Sequence, residues 1–113
     1  MTASLSHLFM RVADLPAART FWVDQLGLLV LHEEAAGYLR VGGRDGFHLG
    51  IEQGDPGPPN ALEIAVQVAD VDDTYQALIA AGVPADTAPA DQPWGRRHAW
   101  VRDPDNRRIS IFS

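Results

Sequence analysis

The sequence repeats itself at half its length. Val12–Leu15 opens one amphipathic stretch, and Val68–Val71 opens a nearly identical one 56 positions later (68 − 12). Each copy follows a run in which apolar and polar residues alternate, and each precedes a helical pattern that ends at a glycine, Gly27 or Gly82. A repeat of this length indicates two equivalent modules packed as one domain.

A proline-rich linker separates the modules. Gln53–Asn60 contains three prolines and two glycines, which neither a helix nor a central strand accommodates. We therefore interpret residues 1–52 and 61–113 as the modules of a single domain, residues 1–113. The periodicity within each module predicts a strand, a helix and three further strands (β-α-β-β-β), so the fold class is α+β.

Local signals fix the ends of several elements. Asp14 and Asp70 are predicted helix N-caps, because a short side-chain oxygen there can accept from the first free backbone N–H groups. Gly42–Gly46 predicts a turn between strands. Asp103–Asn106 predicts a second, with Asn106 in the left-handed conformation.

Alternation divides the strand side chains into two faces. One is apolar and is predicted to pack under the helices: Leu8, Met10, Val12, Leu39, Val41, Phe47, Leu49, Ile51, Ile64, Val66, Val68, Ala99, Val101, Ile109 and Ile111. The other combines aromatic and charged residues, and we name it the mixed face: His7, Phe9, Arg11, Tyr38, Arg40, His48, Gly50, Glu52, Glu63, Ala65, Gln67, His98, Trp100, Arg102, Ser110 and Phe112. The pattern is compatible with a solvated sheet face or with the wall of a small-molecule pocket.

The offset between the two copies also relates positions on the mixed face, and we use it as a ruler. It places His7 and Glu63 at matching points of the opening strands, and His48 and Ser110 near matching points of the closing strands. Two histidines and one carboxylate suit Fe(II) or Mn(II), so His7, His48 and Glu63 are a candidate metal site if the modules bring them together.

Other histidines and tryptophans have simpler interpretations. His32 and His98 have no partner in the repeat and are interpreted as structural. Trp22 lies on the first helical pattern, which favours core or dimer packing. Trp94 lies on a loop, where it is either a lid over a pocket or a loop-packing residue.

Composition excludes several partners. The formal net charge is −6 and the arginines are scattered, which argues against binding to nucleic acid or to an anionic membrane surface. No cysteine is present, so thiol chemistry and disulfides are excluded. No apolar run is long enough for a membrane span and no signal-peptide pattern is visible, so we expect a cytoplasmic protein.

Several segments resemble the vicinal oxygen chelate superfamily, which includes glyoxalase I, bleomycin- and fosfomycin-resistance proteins and extradiol dioxygenases. They are His7–Leu15 with Phe21-Trp22, Ile64–Val71, and Asp103–Asn106 followed by Ile109–Ile111. The resemblance covers essentially the whole chain. It implies that paired β-α-β-β-β modules form an open eight-stranded cup with helices on its outer face, in a protein that is often a homodimer.

The resemblance also implies metal-ligand positions on the opening and closing strand of each module. His7 matches the first position, and His48, or alternatively Glu52, matches the second. Glu63 occupies the position where the superfamily usually has His, and Ser110 the one where it usually has Glu. The metal implied is divalent: Fe, Mn, Zn or Ni.

Three functions stay open at this point. One is a metal-free binder that sequesters a drug-like molecule, stacking it on aromatic residues and pairing Glu52 and Glu63 with a cationic group. The second is a metal-dependent lyase, isomerase or dioxygenase acting on vicinal oxygens. The third is an interaction module. The predicted ligand-binding residues are Phe9, Arg11, Tyr38, Glu52, Trp100 and Arg102.

Overall fold

The β-α-β-β-β order predicted for each half is confirmed. The computed structural model describes residues 5–43 and 46–113. The elements of the first half are β1 (His7–Val12), α1 (Leu15–Arg19), a π-helical segment (Thr20–Gln25), β2 (Leu29–Glu34), β3 (Tyr38–Gly42) and β4 (His48–Gln53). Those of the second half are β5 (Ile64–Gln67), α2 (Val71–Ala80), β6 (Ala85–Asp91), β7 (Arg97–Arg102) and β8 (Arg108–Phe112). The predicted Gly42–Gly46 turn includes Arg44 and Asp45, which lie outside the described residues.

The chain divides into two units within the predicted linker. The first unit is Met1–Gly57 and the second is Pro58–Ser113. Each has its own four-stranded sheet, ordered β1-β4-β3-β2 in the first and β5-β8-β7-β6 in the second. The opening and closing strands of each unit are parallel neighbours, and the other pairs are antiparallel. This order brings the side chains of the first and last strands of each unit together.

The predicted helix signals are observed. The Asp14 carboxylate accepts from Ala17 N at 3.1 Å, and the Asp70 carboxylate accepts from Asp73 N at 3.2 Å. Gly27 and Gly82, at φ of 80° and 91°, follow the two helical stretches and adopt the left-handed conformation that glycine tolerates. Neither described helix combines the length and apolarity that a membrane crossing requires.

The π-helical segment was not predicted. Leu26 N donates to Phe21 O, five residues back, at 2.9 Å, so this turn contains one residue more than an α-helical turn. Phe21 and Trp22 are both buried, with their rings edge to face at 5.0 Å. A helical pattern of apolar residues does not reveal this extra residue, because the segment has only six residues, too few for a change of period to stand out.

The predicted apolar face forms the buried face of each sheet, except at Phe47. Leu39, Val41, Ile51, Val101, Ile109 and Ile111 are almost fully buried. Phe47 was assigned to this face but is 47% exposed, because β4 begins one residue later, at His48. The Asp103–Asn106 turn is confirmed, with Asn106 at a φ of 64° and its N–H donating to Asp103 O at 2.9 Å.

Candidate functional site

The mixed face of the first unit begins with two stacked imidazoles. His7 on β1 pairs in register with His48 on β4, and their rings lie 4.9 Å apart between centroids with planes only 3° from parallel. His48 Nδ1 lies 3.3 Å from the Gly46 carbonyl oxygen. Since a carbonyl only accepts, Nδ1 carries the proton of the neutral ring, and Nε2 is left as a lone-pair donor.

This histidine pair does not fit a shared metal ion as it is arranged. A ligating nitrogen directs its lone pair in the plane of its ring, and two parallel stacked planes do not meet at a common ion. One ring would have to turn before both could coordinate. Within the described residues of either unit, no three His, Asp or Glu side chains form a group that could hold a metal. The triad of His7, His48 and Glu63 stays a prediction.

The second unit has an ion pair at the corresponding position. Glu63 lies immediately before β5, and Arg108 Nη1 donates to its carboxylate at 3.1 Å. The Trp100 indole N–H donates to the same oxygen at 2.6 Å, and the Arg108 guanidinium lies 4.4 Å from the centroid of the Trp100 ring. Glu63 therefore already has a cation and a hydrogen-bond donor as partners.

The register corrects the equivalence of His48 and Ser110. Leu8 pairs with Leu49 in the first unit, as Ile64 pairs with Ile109 in the second. The counterpart of His48 is therefore Arg108, and that of Ser110 is Gly50. The 56-residue offset of the opening strands does not apply to the closing strands, because the second unit has extra residues between its opening and closing strands.

His98, which the sequence predicts to be structural, lies at the centre of an aromatic cluster. Its ring centroid lies 5.4 Å from those of Trp94 and Trp100 and 4.9 Å from that of Phe112. We name these four residues the ring cluster. Trp94, on the loop before β7, is 62% exposed, whereas Trp100 is almost buried. The cluster joins a strand face to a loop, a contact that periodicity does not indicate.

Hydrogen bonds fix the tautomer of His98. The Trp94 indole N–H donates to Nε2 at 3.2 Å, and an indole nitrogen only donates. The proton of neutral His98 therefore lies on Nδ1, which is 2.8 Å from the Ser110 hydroxyl oxygen. In this state Nδ1 donates to Ser110 and cannot accept its proton, so the pair is not a nucleophile and base.

The predicted ligand residue Arg102 is held by an acidic partner. Both Arg102 and Arg108 form ion pairs with Asp86. The hydrogen bond from the Thr87 hydroxyl, together with the two arginines, lowers the pKa of the Asp86 carboxyl. This network fixes the two guanidinium groups at the edge of the mixed face and leaves them charge-compensated.

In the first unit, Arg11 and Glu52 occupy one row of the mixed face. Their strands pair in register, and Arg11 Nε lies 3.7 Å from the Glu52 carboxylate. The Arg11 guanidinium also lies 5.2 Å from the centroid of the exposed Phe9 ring. The predicted ligand residues Phe9, Arg11, Tyr38 and Glu52 thus share one face of one sheet.

A separate pocket of about 250 Å³ lies between α1 and the turn that joins β2 to β3. The ion pair of Arg19 with Glu33, at 2.7 Å, lies in its wall. Of the predicted ligand residues it includes only Tyr38. Sequence analysis gave no signal for this pocket, because its wall combines a helix with a turn.

The comparisons with known proteins agree with this architecture. The chain matches the family model described as the Glyoxalase/Bleomycin resistance protein/Dioxygenase superfamily over residues 4–111. A search of curated proteins found no match.

Solved structures resemble the chain over nearly its whole length. A glyoxalase/bleomycin resistance protein from Streptomyces sp. CB03234 is 26% identical, with 97% of this chain and 100% of that one covered and a TM-score of 0.77. The bleomycin resistance determinant encoded on transposon Tn5 is 19% identical, with 98% of each chain covered and a TM-score of 0.72. The family match over almost every residue, together with the repeated β-α-β-β-β units, shows that the chain belongs to the glyoxalase/bleomycin resistance protein/dioxygenase superfamily.

Proposed function

We propose that this protein binds and sequesters a small organic molecule with a planar aromatic part. The observation that carries the proposal is the ring cluster, in which the largely exposed Trp94 indole is held at the edge of a sheet face by its hydrogen bond to His98. Exposing a large apolar ring is unfavourable unless something covers it. A rigid aromatic platform next to polar groups is typical of small-molecule sites.

Each unit has predicted ligand residues of its own on its sheet face. Phe9 and Tyr38 provide further rings on the first unit, and the edge of Trp100 contributes on the second. Arg11, Glu52 and Arg102 are charged groups at the margins of these rings, where they would orient a polar substituent. Because one structural relative is a bleomycin resistance determinant, metal-free bleomycin is a suitable first probe.

Indole N–H signals in an NMR titration test the proposal. The probes are metal-free bleomycin, 2-naphthoate, 2-naphthamide and 2-naphthylmethylammonium. We expect at least one of them to shift the Trp94 and Trp100 signals saturably while leaving that of the buried Trp22 unchanged. Trp94→Ala should weaken that binding about 2- to 10-fold, because a stacked aromatic pair contributes about 0.5–1.5 kcal/mol beyond its buried area. If no probe produces a saturable shift, the proposal is wrong.

Metal-dependent lyase, isomerase or dioxygenase chemistry is the second candidate. It is favoured by the unprotonated Nε2 of His48, whose ring is oriented by a backbone carbonyl as metal-bound histidines commonly are. It would require the His7 or the His48 ring to turn before both could hold an ion of the kind that polarises substrate oxygens. Their parallel rings and the ion-paired Glu63 weigh against it. Adding Zn²⁺ to the same NMR sample tests it: stoichiometric uptake that His7→Ala abolishes would favour this candidate.

We also propose that two copies associate through β2. This strand lies at the edge of the first sheet and all six of its residues are exposed, including Leu29, Val30 and Leu31. An exposed apolar edge strand is a template for pairing with another chain. Light scattering should give twice the mass of one chain. Val30→Lys should lower the measured mass to that of a single chain. Gln76→Lys, at an exposed position of α2, is the control and should leave the measured mass unchanged. A single-chain mass for the unmodified protein contradicts the proposal. The cytoplasmic location stays a prediction.

A further inference from the structure

The carboxylates of the mixed face already have cationic partners. Glu63 is bonded to Arg108 at 3.1 Å, and Glu52 lies 3.7 Å from Arg11. A cationic ligand would have to displace an arginine from one of them. The charge that the face offers to a ligand is therefore better judged from its arginines than from its acids.

Arg40 on β3 is half-buried and has no carboxylate partner among the described residues. Its Nε donates to the Tyr38 hydroxyl at 3.3 Å, and its guanidinium lies 5.8 Å from the centroid of the Tyr38 ring. Within residues 5–43 and 46–113 its two terminal nitrogens have no bonded partner. A guanidinium fixed through Nε directs these two nitrogens as a fork that matches a carboxylate.

Gly50 makes this arrangement possible. It pairs with Arg40 on one side and with Phe9 on the other, so the three residues form one row across the sheet. A Cβ at position 50 would lie 2.8 Å from the Tyr38 hydroxyl oxygen. Only glycine therefore lets the Tyr38 phenol lie over the strand at this point, where its oxygen can accept from Arg40.

We propose that this row binds an aryl carboxylate, with the carboxylate on Arg40 and the ring on Phe9. The inference goes beyond the proposed function, because it assigns a ligand class to the first unit's own sheet face rather than to the ring cluster. Neighbouring strands are about 4.8 Å apart, so Phe9 and Arg40, two strands apart, are separated by roughly the length of a one- or two-ring aromatic acid. The bound carboxylate supplies the partner that a half-buried guanidinium otherwise lacks. Tyr38 and Gly50 are positioning residues.

Calorimetric titration with three probes of equal shape tests this. We expect 2-naphthoate to bind more tightly than 2-naphthamide, and 2-naphthylmethylammonium to bind most weakly. Arg40→Gln should weaken naphthoate binding about 10- to 100-fold, because a charge-assisted bidentate contact is lost, while leaving the affinity for naphthamide nearly unchanged. Arg40→Lys should recover only part of the loss. Arg19→Gln, at an exposed arginine paired with Glu33, is the matched control and should change neither affinity.

Gly50→Ala tests the positioning role in a protein that still folds. The atom it displaces is the far end of the Tyr38 side chain, which can swing away. We expect an unchanged unfolding midpoint, weaker naphthoate binding and no further loss when Tyr38→Phe is added. Equal weakening of naphthoate and naphthamide by Arg40→Gln, or tighter binding of the amide or the ammonium than of the carboxylate, overturns the inference and leaves the proposed function standing. Absence of binding by every probe overturns both.

Discussion

Asp103→Ala should lower the free energy of unfolding by about 3–5 kcal/mol. The Asp103 side chain is 1% exposed and accepts from the backbone N–H groups of Arg107 at 2.7 Å and Asp105 at 3.0 Å. It also accepts from Arg107 Nη1 at 3.2 Å. Burial raises the pKa of Asp103, and the contacts with Arg107 offset only part of the cost of keeping its charge in the interior. Removing the carboxylate leaves a buried guanidinium under-compensated and two backbone donors without their acceptor.

Urea unfolding followed by circular dichroism measures this effect. Asp73→Ala, at an exposed carboxyl on α2, is the control and should change stability by no more than about 0.5 kcal/mol. Asp103→Asn keeps an acceptor oxygen but not the charge, and should fall between the two. A loss below about 1 kcal/mol for Asp103→Ala would show that the turn does not depend on this pair. The result bears on function because the turn leads directly into β8, which carries Arg108 and Ser110.

Trp22→Ala should also cost about 3–5 kcal/mol, because it leaves a large cavity in the core of the first unit. The Trp22 side chain is 0% exposed and its ring packs edge to face against Phe21. Its indole nitrogen is buried without a hydrogen-bond partner in the described structure. Trp22→Phe should therefore cost much less than Trp22→Ala, since it removes the unsatisfied N–H, which itself costs about 1–3 kcal/mol.

The same unfolding measurement applies, with Trp94→Ala as the exposed tryptophan control. That substitution should stay within about 1 kcal/mol of the unmodified protein, because it removes a loop contact and no core volume. If Trp22→Phe proves as costly as Trp22→Ala, the indole nitrogen has a role in the folded chain that its surroundings do not show.

The topology was predictable because its signals are local. Asp14 and Asp70 as caps, Gly27 and Gly82 as terminators and the alternation of the strands each depend on a few neighbouring residues. Such local signals can be recognised in a single sequence. They are enough to assign the elements and to separate the core face from the mixed face.

Pairing between distant strands was not predictable in the same way. Leu8 and its counterpart Ile64 differ by 56 positions, whereas Leu49 and its counterpart Ile109 differ by 60. A ruler taken from the opening strands therefore fails at the closing strands, and Arg108 was missed as the counterpart of His48. The bonds from Trp94 to His98 and from Arg40 to Tyr38 were missed for another reason: they depend on rotamers, which no periodicity encodes.

The exchange of an imidazole pair in one unit for an ion pair in the other has a consequence for protein design. His7 and His48 directly precede the register pair Leu8–Leu49, and Glu63 and Arg108 directly precede the equivalent pair Ile64–Ile109. We therefore expect side chains at these points to be exchangeable between the two units. Glu63→His with Arg108→His would give the second sheet its own imidazole pair, and the reciprocal double substitution would place a charge pair on the first. Because the two units share one topology, each can serve as the structural reference for a substitution made in the other.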